Sequence, residues 1–546
     1  MGGNVFTIGV IGHRNLGSAD RKRLYDELSD LIMRFKENFP SLSPLVLTSL
    51  AEGADQVAAE VCLDLNLPYV AVIPGAPDVY EQDFAGEART RFRLLLSRAS
   101  GVYEVTREDG HHDESLDRKA SYQACARFLA NHSCLLVAAW NGMPPGSNQF
   151  GGTADTIAFR ARGLRALPSL SSEARFVFAD SGPTLVLHIE SADAVKHLAR
   201  ESQVPPDRDV WECRAYSIEE DETALAMTKF VQLVGDVPVG SCQSHTQALG
   251  ERASEVAVRM KQRYAFWMVA LLVVGCLSIW CVGLAFNDRL PQPWAWQLGA
   301  VCLLVAVWAA QRKFGAKENF HALRAVAEGA RVQEVWQGVG IAGGVSPVFL
   351  ADAPRAAPWI RWALKSAHVL DVSQLGAAGL EREGARAVTL DWIDGQVRYF
   401  RGGPPPASGA IARERRLAAT LRWAYVALLA LAMAAMVAGV MSSLLDGDGF
   451  LVNVTEPLFS LMLATAVAVF AFREAMAFDL NARRYEVVSR YHEKAAEIIR
   501  NTEGDTSDAS HERRTLIQVA RDLGERSLRE SDAWFTAVSD REARPT

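Results

Sequence analysis

The sequence predicts an α/β domain with a doubly wound parallel sheet, followed by an α-helical membrane region. Near the N-terminus, short apolar runs alternate with helical patterns, as they do when parallel strands are buried on both faces. Further along the chain, uncharged apolar segments of about 20 residues occur in two pairs, and a helix of about 20 apolar residues crosses a bilayer. The membrane region is therefore predicted to hold four transmembrane helices in two hairpins, with cytoplasmic helical extensions.

The N-terminal part contains repeated units of strand, loop and helix. Alternation of this kind is typical of a doubly wound sheet, whose ligands bind at the carboxyl ends of the strands. Two further short apolar runs, at 176–178 and 185–187, are expected to complete the sheet. The four main predicted strands are residues 5–11, 45–48, 69–73 and 134–140.

Small and polar residues follow these strands and therefore meet at one edge of the predicted sheet. Arg14 brings a guanidinium to that edge, and His13 brings an imidazole or imidazolium. Two adjacent glycines before a helix that begins at Thr153 allow a ligand to approach the backbone, and the free N–H groups and helix dipole favour an anion such as phosphate. The candidate ligand-binding residues are Gly12, His13, Arg14, Ser49, Glu52, Gly53, Asp55, Pro74, Trp140, Gly151, Gly152, Thr153 and Asp155.

These motifs also have purely structural interpretations. Gly-Gly-Thr before a helix is often a tight turn with a capping residue. The acidic residues beside Gly53 are equally consistent with ribose contacts or with helix N-terminal acids that complement the helix dipole. Binding is favoured because several such loops lie on the same edge.

Four separated motifs occur in order: IGVIGHR, TSLAEGADQ, PGAPDVYEQDF and WNGMPPGSNQFGGTAD. Together they resemble the SLOG superfamily of Rossmann-like domains, which is related to the lonely-guy phosphoribohydrolases and to nucleotide sensors of bacterial defence systems. The resemblance covers roughly residues 4–190. It implies a nucleotide-derived ligand at the edge described above, and no other cofactor.

Enzymatic members of that superfamily carry the loop Pro-Gly-Gly-x-Gly-Thr-x-x-Glu, and this chain matches it in part. Phe150 replaces the proline, and Thr156 stands where the glutamate is expected. Cleavage of a glycosidic bond needs a carboxylate at the anomeric centre. No catalytic residue is therefore assigned, and Asp155 and Glu52, with Asp55 beside them, are only weak candidates. Binding without chemistry is favoured, and a hydrolase of the lonely-guy type is the alternative.

The predicted spans are residues 264–286 and 291–311 in the first pair, and 423–445 and 454–472 in the second. Lys and Arg residues flank both pairs on one side, whereas the loops between the paired spans contain Arg289 alone. By the positive-inside rule the protein is multi-pass in the inner membrane, with both termini cytoplasmic.

The arrangement of helix, two spans and helix occurs twice and is similar to the SLATT family of two-span effector modules. That resemblance covers about residues 240–546 and includes LRAVAEGARVQEVW and LGERSLRESDAWF. It implies a homo-oligomer that disrupts or permeabilises the bilayer in antiviral defence once the ligand is sensed. The predicted domains are 1–215 (ligand binding), 216–344 (first two-span module), 345–410 (cytoplasmic segment and linker) and 411–546 (second two-span module).

Composition excludes other classes. The net charge is -7, so the chain lacks the basic excess of a nucleic-acid-binding protein. None of the eight cysteines forms a CxxC pair or a zinc-type cluster with histidine. The run His111-His112-Asp113-Glu114 lies in a polar loop without further ligands, and no metal site is predicted.

Overall fold

Two compact units make up the chain, which we describe from a computed structural model. The first contains Met1–Val256, Ala322–Thr389 and Thr506–Thr546, and the second contains Ala257–His321 and Leu390–Asp505. Each unit joins separate stretches of sequence, unlike the linear division at 215, 344 and 410. The structure describes residues 4–105, 118–141, 152–162, 184–188, 222–235, 237, 242–286, 293–314, 317–341, 343–349, 358–380, 384–403, 408–445, 450–502 and 509–543.

A parallel sheet forms the centre of the first unit, as predicted. Its six strands lie in the order β4-β3-β2-β1-β5-β6. From β1 the chain adds strands in one direction as far as β4 and then crosses back, so that Ile8 of β1 pairs with Val46 of β2 on one side and Leu135 of β5 on the other. The strands are β1 Val5–Gly12, β2 Ser43–Thr48, β3 Tyr69–Ile73, β4 Gly101–Glu104, β5 Leu135–Trp140 and β6 Thr184–His188.

Five of these strands coincide with predicted apolar runs, since the middle strands are buried on both faces and their sequences are continuously apolar. β4 was not predicted. It has four residues, of which only Tyr103 is buried, so its sequence carries almost no strand signal. The predicted strand at 176–178 lies outside the described residues.

Helices cover both faces of the sheet. In the first unit these include α1 Ser18–Asn38, α2 Ala54–Asp64, α3 Pro77–Tyr80, α4 Gly86–Arg98, α5 Arg118–His132, α6 Thr153–Arg162 and α7 Glu222–Val234. α1 places Leu24, Leu28 and Phe35 in the core, where the Phe35 ring lies 4.7 Å from that of Phe6 on β1. The i, i+4 and i+11 spacing of these residues forms the apolar face that the sequence indicates.

A helix from far along the chain completes this core. It is α11, Pro358–Leu380, and it follows α8 His245–Phe286, α9 Pro293–Phe314 and α10 Lys317–Gly338. Val369, Leu370 and Val372 belong to the same buried cluster as Val5 of β1 and Tyr103 of β4. The sequence predicts a cytoplasmic segment and linker at 345–410, but these residues of α11 are core residues of the sheet domain.

Buried basic side chains fix α11 to the turn before β5. Lys365 is fully buried and donates from Nζ to the carbonyl of Ser133, 3.4 Å away. Arg160 of α6 donates to the same carbonyl at 3.1 Å and to that of Cys134 at 3.2 Å. Burial, reinforced by Arg160, holds the pKa of Lys365 well below its usual range. Carbonyl oxygens are the acceptors that such buried donors need.

The N-terminus of α8 is held by α11 as well. The Asp371 carboxylate accepts hydrogen bonds from the backbone N–H of His245 at 2.6 Å and from that of Thr246 at 3.1 Å. These two groups are among the donors that a helix leaves unpaired in its first turn, and a carboxylate there also complements the helix dipole. Asp371 thus acts as a cap contributed by another helix.

The second unit is helical. α12 Ala385–Arg401, α13 Ala410–Leu445, α14 Phe450–Met476 and α15 Phe478–Asn501 follow one another, and α16 Ala509–Ala543 returns to the first unit. α13 and α14 pack antiparallel, since the Tyr425 and Phe470 rings lie 5.6 Å apart while a Cβ on Gly439 would lie 2.7 Å from the Thr455 hydroxyl oxygen.

Among the described residues, three helical stretches are long and apolar enough to cross a membrane: His245–Ser278, Ala410–Leu444 and Val454–Asn501. They overlap three of the predicted spans, 264–286, 423–445 and 454–472. The remaining span lies in α9, whose described apolar stretch, Leu298–Ala309, is shorter than a bilayer requires.

We expect Leu370→Ala to destabilise the sheet by roughly 2–5 kcal/mol, because Leu370 is 1% exposed and its removal leaves a cavity. Amide hydrogen exchange of β1 and β3 in the full chain measures this. Leu94→Ala is the matched control, because Leu94 on α4 is 54% exposed and its loss should cost under about 0.5 kcal/mol. Equal protection in both variants would show that α11 is not part of this core.

Candidate functional site

The candidate site lies at the carboxyl edge of the sheet, beside the point where strand order reverses. β2 and β5 lie on opposite sides of β1. From β2 the chain continues to β3 on one side of the sheet, and from β5 it continues to β6 on the other side. In open α/β sheets this arrangement opens a crevice in which ligands bind. The loops after β1, β2 and β5 carry most of the predicted residues.

The loops after β1 and β2 are in direct contact. Ala54 donates its backbone N–H to the His13 carbonyl at 3.2 Å. Gly53 has φ +91°, and a Cβ there would lie 2.2 Å from the His13 carbonyl oxygen and 2.3 Å from that of Arg14. Only glycine adopts this backbone and leaves space for those carbonyls. The Glu-Gly-Ala-Asp motif is thus needed for the close contact of the two loops.

His13 connects this pair of loops to β5. Its backbone N–H donates to the Ala139 carbonyl at 3.2 Å, and its Nε2 accepts the N–H of Asn141 at 3.3 Å. His13 thus positions the loop after β1 against the end of β5.

Beneath Arg14 lies a buried polar pair. Asp55 is 4% exposed and Tyr80, at the end of α3, is 3% exposed. The Ser49 hydroxyl is a hydrogen-bonding neighbour of both the Asp55 carboxyl group and the Tyr80 hydroxyl. Arg14 itself is exposed, and its guanidinium lies over the Tyr122 ring, 5.4 Å from the centroid. The Tyr122 ring meets the Tyr80 ring edge-on at 6.0 Å.

Burial raises the pKa of Asp55 to about 7, while the Ser49 hydroxyl and the Arg14 guanidinium partly oppose the shift. Burial also raises the pKa of Tyr80, and Cys125 and Asp55 add to that effect. Arg14, Ser49, Asp55 and Tyr80 therefore form one electrostatically coupled group. A perturbed carboxyl group at a ligand edge is a common feature of functional sites.

The N-terminus of α6 follows β5 at the same edge. Thr153 begins the helix, and Asp155 lies in its first turn, where the helix dipole stabilises a negative charge. The Gly152 carbonyl accepts hydrogen bonds from both the N–H and the hydroxyl of Thr156, each at 2.9 Å. The hydroxyl of Thr156, the residue that stands in place of the glutamate, is thus already hydrogen-bonded within the helix. Gly151 lies outside the described residues.

The remaining predicted residues differ in exposure. Glu52 is exposed, and Pro74 is buried at the end of β3. Trp140 is 6% exposed and belongs to the hydrophobic core. No group of three or more His, Cys, Asp or Glu side chains in the described residues could hold a metal ion. The run at 111–114 is outside them.

Sequence reasoning missed Tyr80 and Tyr122. Tyr80 stands within the quoted motif PGAPDVYEQDF, three residues after the proline that begins α3, and the motif follows a strand end. Its position after a strand end is the feature of the sequence that could have identified Tyr80 as a site residue. Tyr122 gave none, because only the tertiary fold brings α5 beside the loop after β1.

A comparison with models of known protein families gives no match. Comparison with curated proteins gives no significant match either.

We expect Gly53→Ala to disrupt this edge, because alanine in this conformation costs about 1–3 kcal/mol before its clash with two carbonyl groups is counted. Thermal unfolding of the full chain measures the loss. Gly17→Ala is the control, since Gly17 has φ -63° and its nearest neighbour would be 4.0 Å from the new Cβ. If the two variants unfold alike, the close contact at Gly53 does not matter to stability.

The raised pKa of Asp55 predicts a pH dependence of stability. The folded state holds this proton up to about pH 7, whereas the unfolded chain releases it near pH 3.8, so stability should fall as pH rises between these values. The free energy of unfolding of Asp55→Asn should therefore rise relative to that of the wild type as pH increases over this range, by up to about 4 kcal/mol at ~1.4 kcal/mol per pH unit. Urea unfolding at several pH values tests this, with exposed Asp78→Asn as control. A constant difference across the range contradicts the assignment.

Proposed function

We propose that this chain is a membrane effector that a nucleotide-derived signal switches on. One observation carries the proposal. α8 begins at His245, where Asp371 of α11 caps it, and continues as one helix to Phe286 through an apolar stretch of membrane-spanning length. Since α11 is a core helix of the sheet domain, a change in that domain has a direct mechanical route into a membrane helix.

The ligand chemistry follows from the charges at the edge. Arg14 is an exposed guanidinium, which binds phosphate through two parallel hydrogen bonds. The N-terminus of α6 supports an anion at the same edge. A ligand with phosphate groups fits both features, and the SLOG-like motifs suggest that it is derived from a nucleotide.

The membrane arrangement is part of the proposal. Four spans in two hairpins would place only two short loops outside the inner membrane, with both termini and the sheet domain in the cytoplasm. Exposed arginines precede the span in α13, among them Arg416 and Arg422, and Trp423 beside them is 67% exposed. Basic residues are typical of the cytoplasmic side of a bilayer, and tryptophan is typical of either interface.

Signal binding would shift the chain towards an oligomeric or rearranged state that permeabilises the membrane, as an effector of bacterial antiviral defence. A ligand does this only if it binds the active state more tightly than the resting one. Moving the population from 1:99 to 99:1 needs a preference of about 10⁴-fold. Homo-oligomerisation would help to reach such a preference, because the differences in affinity at several binding sites then act together on one equilibrium.

A membrane-anchored nucleotide hydrolase is the second candidate. The observation that favours it is Asp55, a carboxyl group with a pKa raised to about 7, which suits a general acid or base near neutral pH. Asp155 and Glu52 are the other carboxylates of the edge. Thr156 in place of the expected glutamate favours the sensor over this enzyme.

The test uses the full chain in vesicles of phosphatidylethanolamine and phosphatidylglycerol that contain a fluorescent dye. Cyclic and linear adenine nucleotides, NAD and ADP-ribose are added in turn, while calorimetry measures binding and chromatography measures turnover. We expect one ligand class to bind without product and to release the dye.

Arg14→Ala should weaken that binding about 10-fold or more, because a hydrogen bond to a charged group contributes about 1.5–3 kcal/mol. Lys36→Ala is the control, since Lys36 is an exposed cation in the last turn of α1, which leads away from this edge towards the start of β2. Product formation that Asp55→Asn abolishes would favour the hydrolase. Dye release without any ligand would contradict gating.

A further inference from the structure

A single residue, Ala477, separates α14 from α15, just beyond the span predicted at 454–472. Its φ of 51° and ψ of 38° are left-handed. Many helices end with a residue in this conformation, but the position usually has glycine, because a Cβ makes the conformation costly. Between Leu458 and Asn501 the sequence contains neither glycine nor proline, at which most sharp kinks occur. The local sequence therefore favours one continuous helix through Ala477.

Two side-chain contacts stabilise the break. Asn481 donates from Nδ2 to the Met476 carbonyl at 3.2 Å, whereas in a continuous helix that carbonyl would accept the N–H of Leu480. Arg473 forms an ion pair with Asp479 in the first turn of α15. Residues i and i+6 lie about 9 Å apart along a continuous helix and on different faces, so this ion pair fits the broken helix better.

The second unit buries the more polar face of α15. The members of this packed face recur every three or four residues, and through Tyr485 they join a cluster with Phe400 of α12 and Ile411 of α13. They are Ala482, Tyr485, Ser489, His492 and Ala496.

The opposite side of α15 is more apolar and yet exposed. At about 100° per residue, its members lie nearly opposite the packed face. This outer face consists of Leu480, Val487, Tyr491 and Ile498, which are between 42% and 52% exposed. A helix that buries its polar face and exposes its apolar one is the reverse of the usual pattern.

A continuous helix would direct the outer face at α13. On α14, Thr455 meets Gly439 of α13, since a Cβ on that glycine would lie 2.7 Å from the Thr455 hydroxyl oxygen. Tyr491 follows Thr455 by ten turns at about 3.6 residues per turn, so in one helix both would lie on the same side. The other residues of the outer face would lie within about 40° of that side.

We infer that α15 has two packing faces and that Ala477 is the switch between them. While Ala477 is left-handed, the helix is broken and the packed face meets α12 and α13. When Ala477 becomes helical, α14 and α15 form one helix, α15 turns about its axis, and the outer face meets α13 instead. One apolar contact thus replaces another, which lets two packings of one sequence be close in free energy. The switch is independent of the proposed function, because all its contacts lie within the second unit.

The experiment uses one tyrosine on each face as a probe, in the full chain in phospholipid vesicles. Hydroxyl-radical footprinting with mass spectrometry measures the oxidation rate of each ring. In the wild type we expect Tyr491, which is 42% exposed, to react several-fold faster than Tyr485, which is 5% exposed. In the double variant Asp479→Ala with Asn481→Ala, which removes both contacts at the break, Tyr485 should react faster than Tyr491.

Ala477→Gly added to the double variant should restore the wild-type order. Glycine removes the cost of the left-handed conformation and weakens a continuous helix, so it should shift the balance about tenfold or more towards the broken state. Ala471→Gly is the matched control, because residue 471 is helical within α14 in both states and its substitution should not restore the order. Ala477→Val in the wild type keeps both contacts and should act like the double variant, since a β-branched residue tolerates the left-handed conformation least.

Amide hydrogen exchange distinguishes a continuous helix from an unfolded one. The N–H groups of residues 478–480 should become protected in the double variant and in Ala477→Val, because they then bond to the carbonyls of residues 474–476. An unchanged order of tyrosine reactivity in both variants would overturn the inference. So would faster oxidation of both rings without protection of these amides, which means that α15 has detached. Protection of Tyr491 in the wild type that rises with protein concentration would show that a second copy covers the outer face, and would also overturn it.

Discussion

The packing of α11 against the sheet is the interaction on which the arrangement of the first unit depends. Its apolar face joins the core that β1, β3 and β4 build, with Leu370 at the centre. Its buried polar side chains hold two different partners, because Lys365 donates to the turn before β5 while Asp371 caps α8. Burying an amine and a carboxylate is costly unless both are hydrogen-bonded. One helix therefore fixes the base of the sheet and the start of a membrane-length helix together.

α5 contacts both the candidate site and α11. Near its start, Tyr122 contacts Arg14 and Tyr80, and Cys125 donates from Sγ to the Val72 carbonyl at 3.2 Å. At its end the His132 ring stacks on that of His368 of α11, with centroids 4.9 Å apart. Burial lowers the pKa of His132 well below its usual range, so this ring stays neutral.

The edge combines tight packing with buried polar groups. Gly12 and Gly53 let the loops after β1 and β2 meet, since a Cβ on Gly12 would lie 2.4 Å from that of Ala54. This contact leaves Asp55 and Tyr80 in an interior where the dielectric is low, and burial raises the pKa of each. Thr156, by contrast, uses its hydroxyl within α6, where it is bonded to the Gly152 carbonyl.

The sequence by itself determined the strands β1, β2, β3 and β5 and the membrane-length helices. Burial of a strand on both faces requires a continuous apolar run, and a bilayer requires an uncharged apolar segment, so both patterns are visible locally in the sequence. It also determined that Arg14, Gly53 and Asp55 share one edge, since parallel strands end together. Only the tertiary structure decided that α11 belongs to the sheet core, because its partners lie over 200 residues away and its Trp-rich pattern fits any buried helix. The same holds for Tyr122 and for the burial of Asp55, which depend on contacts between elements that no local pattern records.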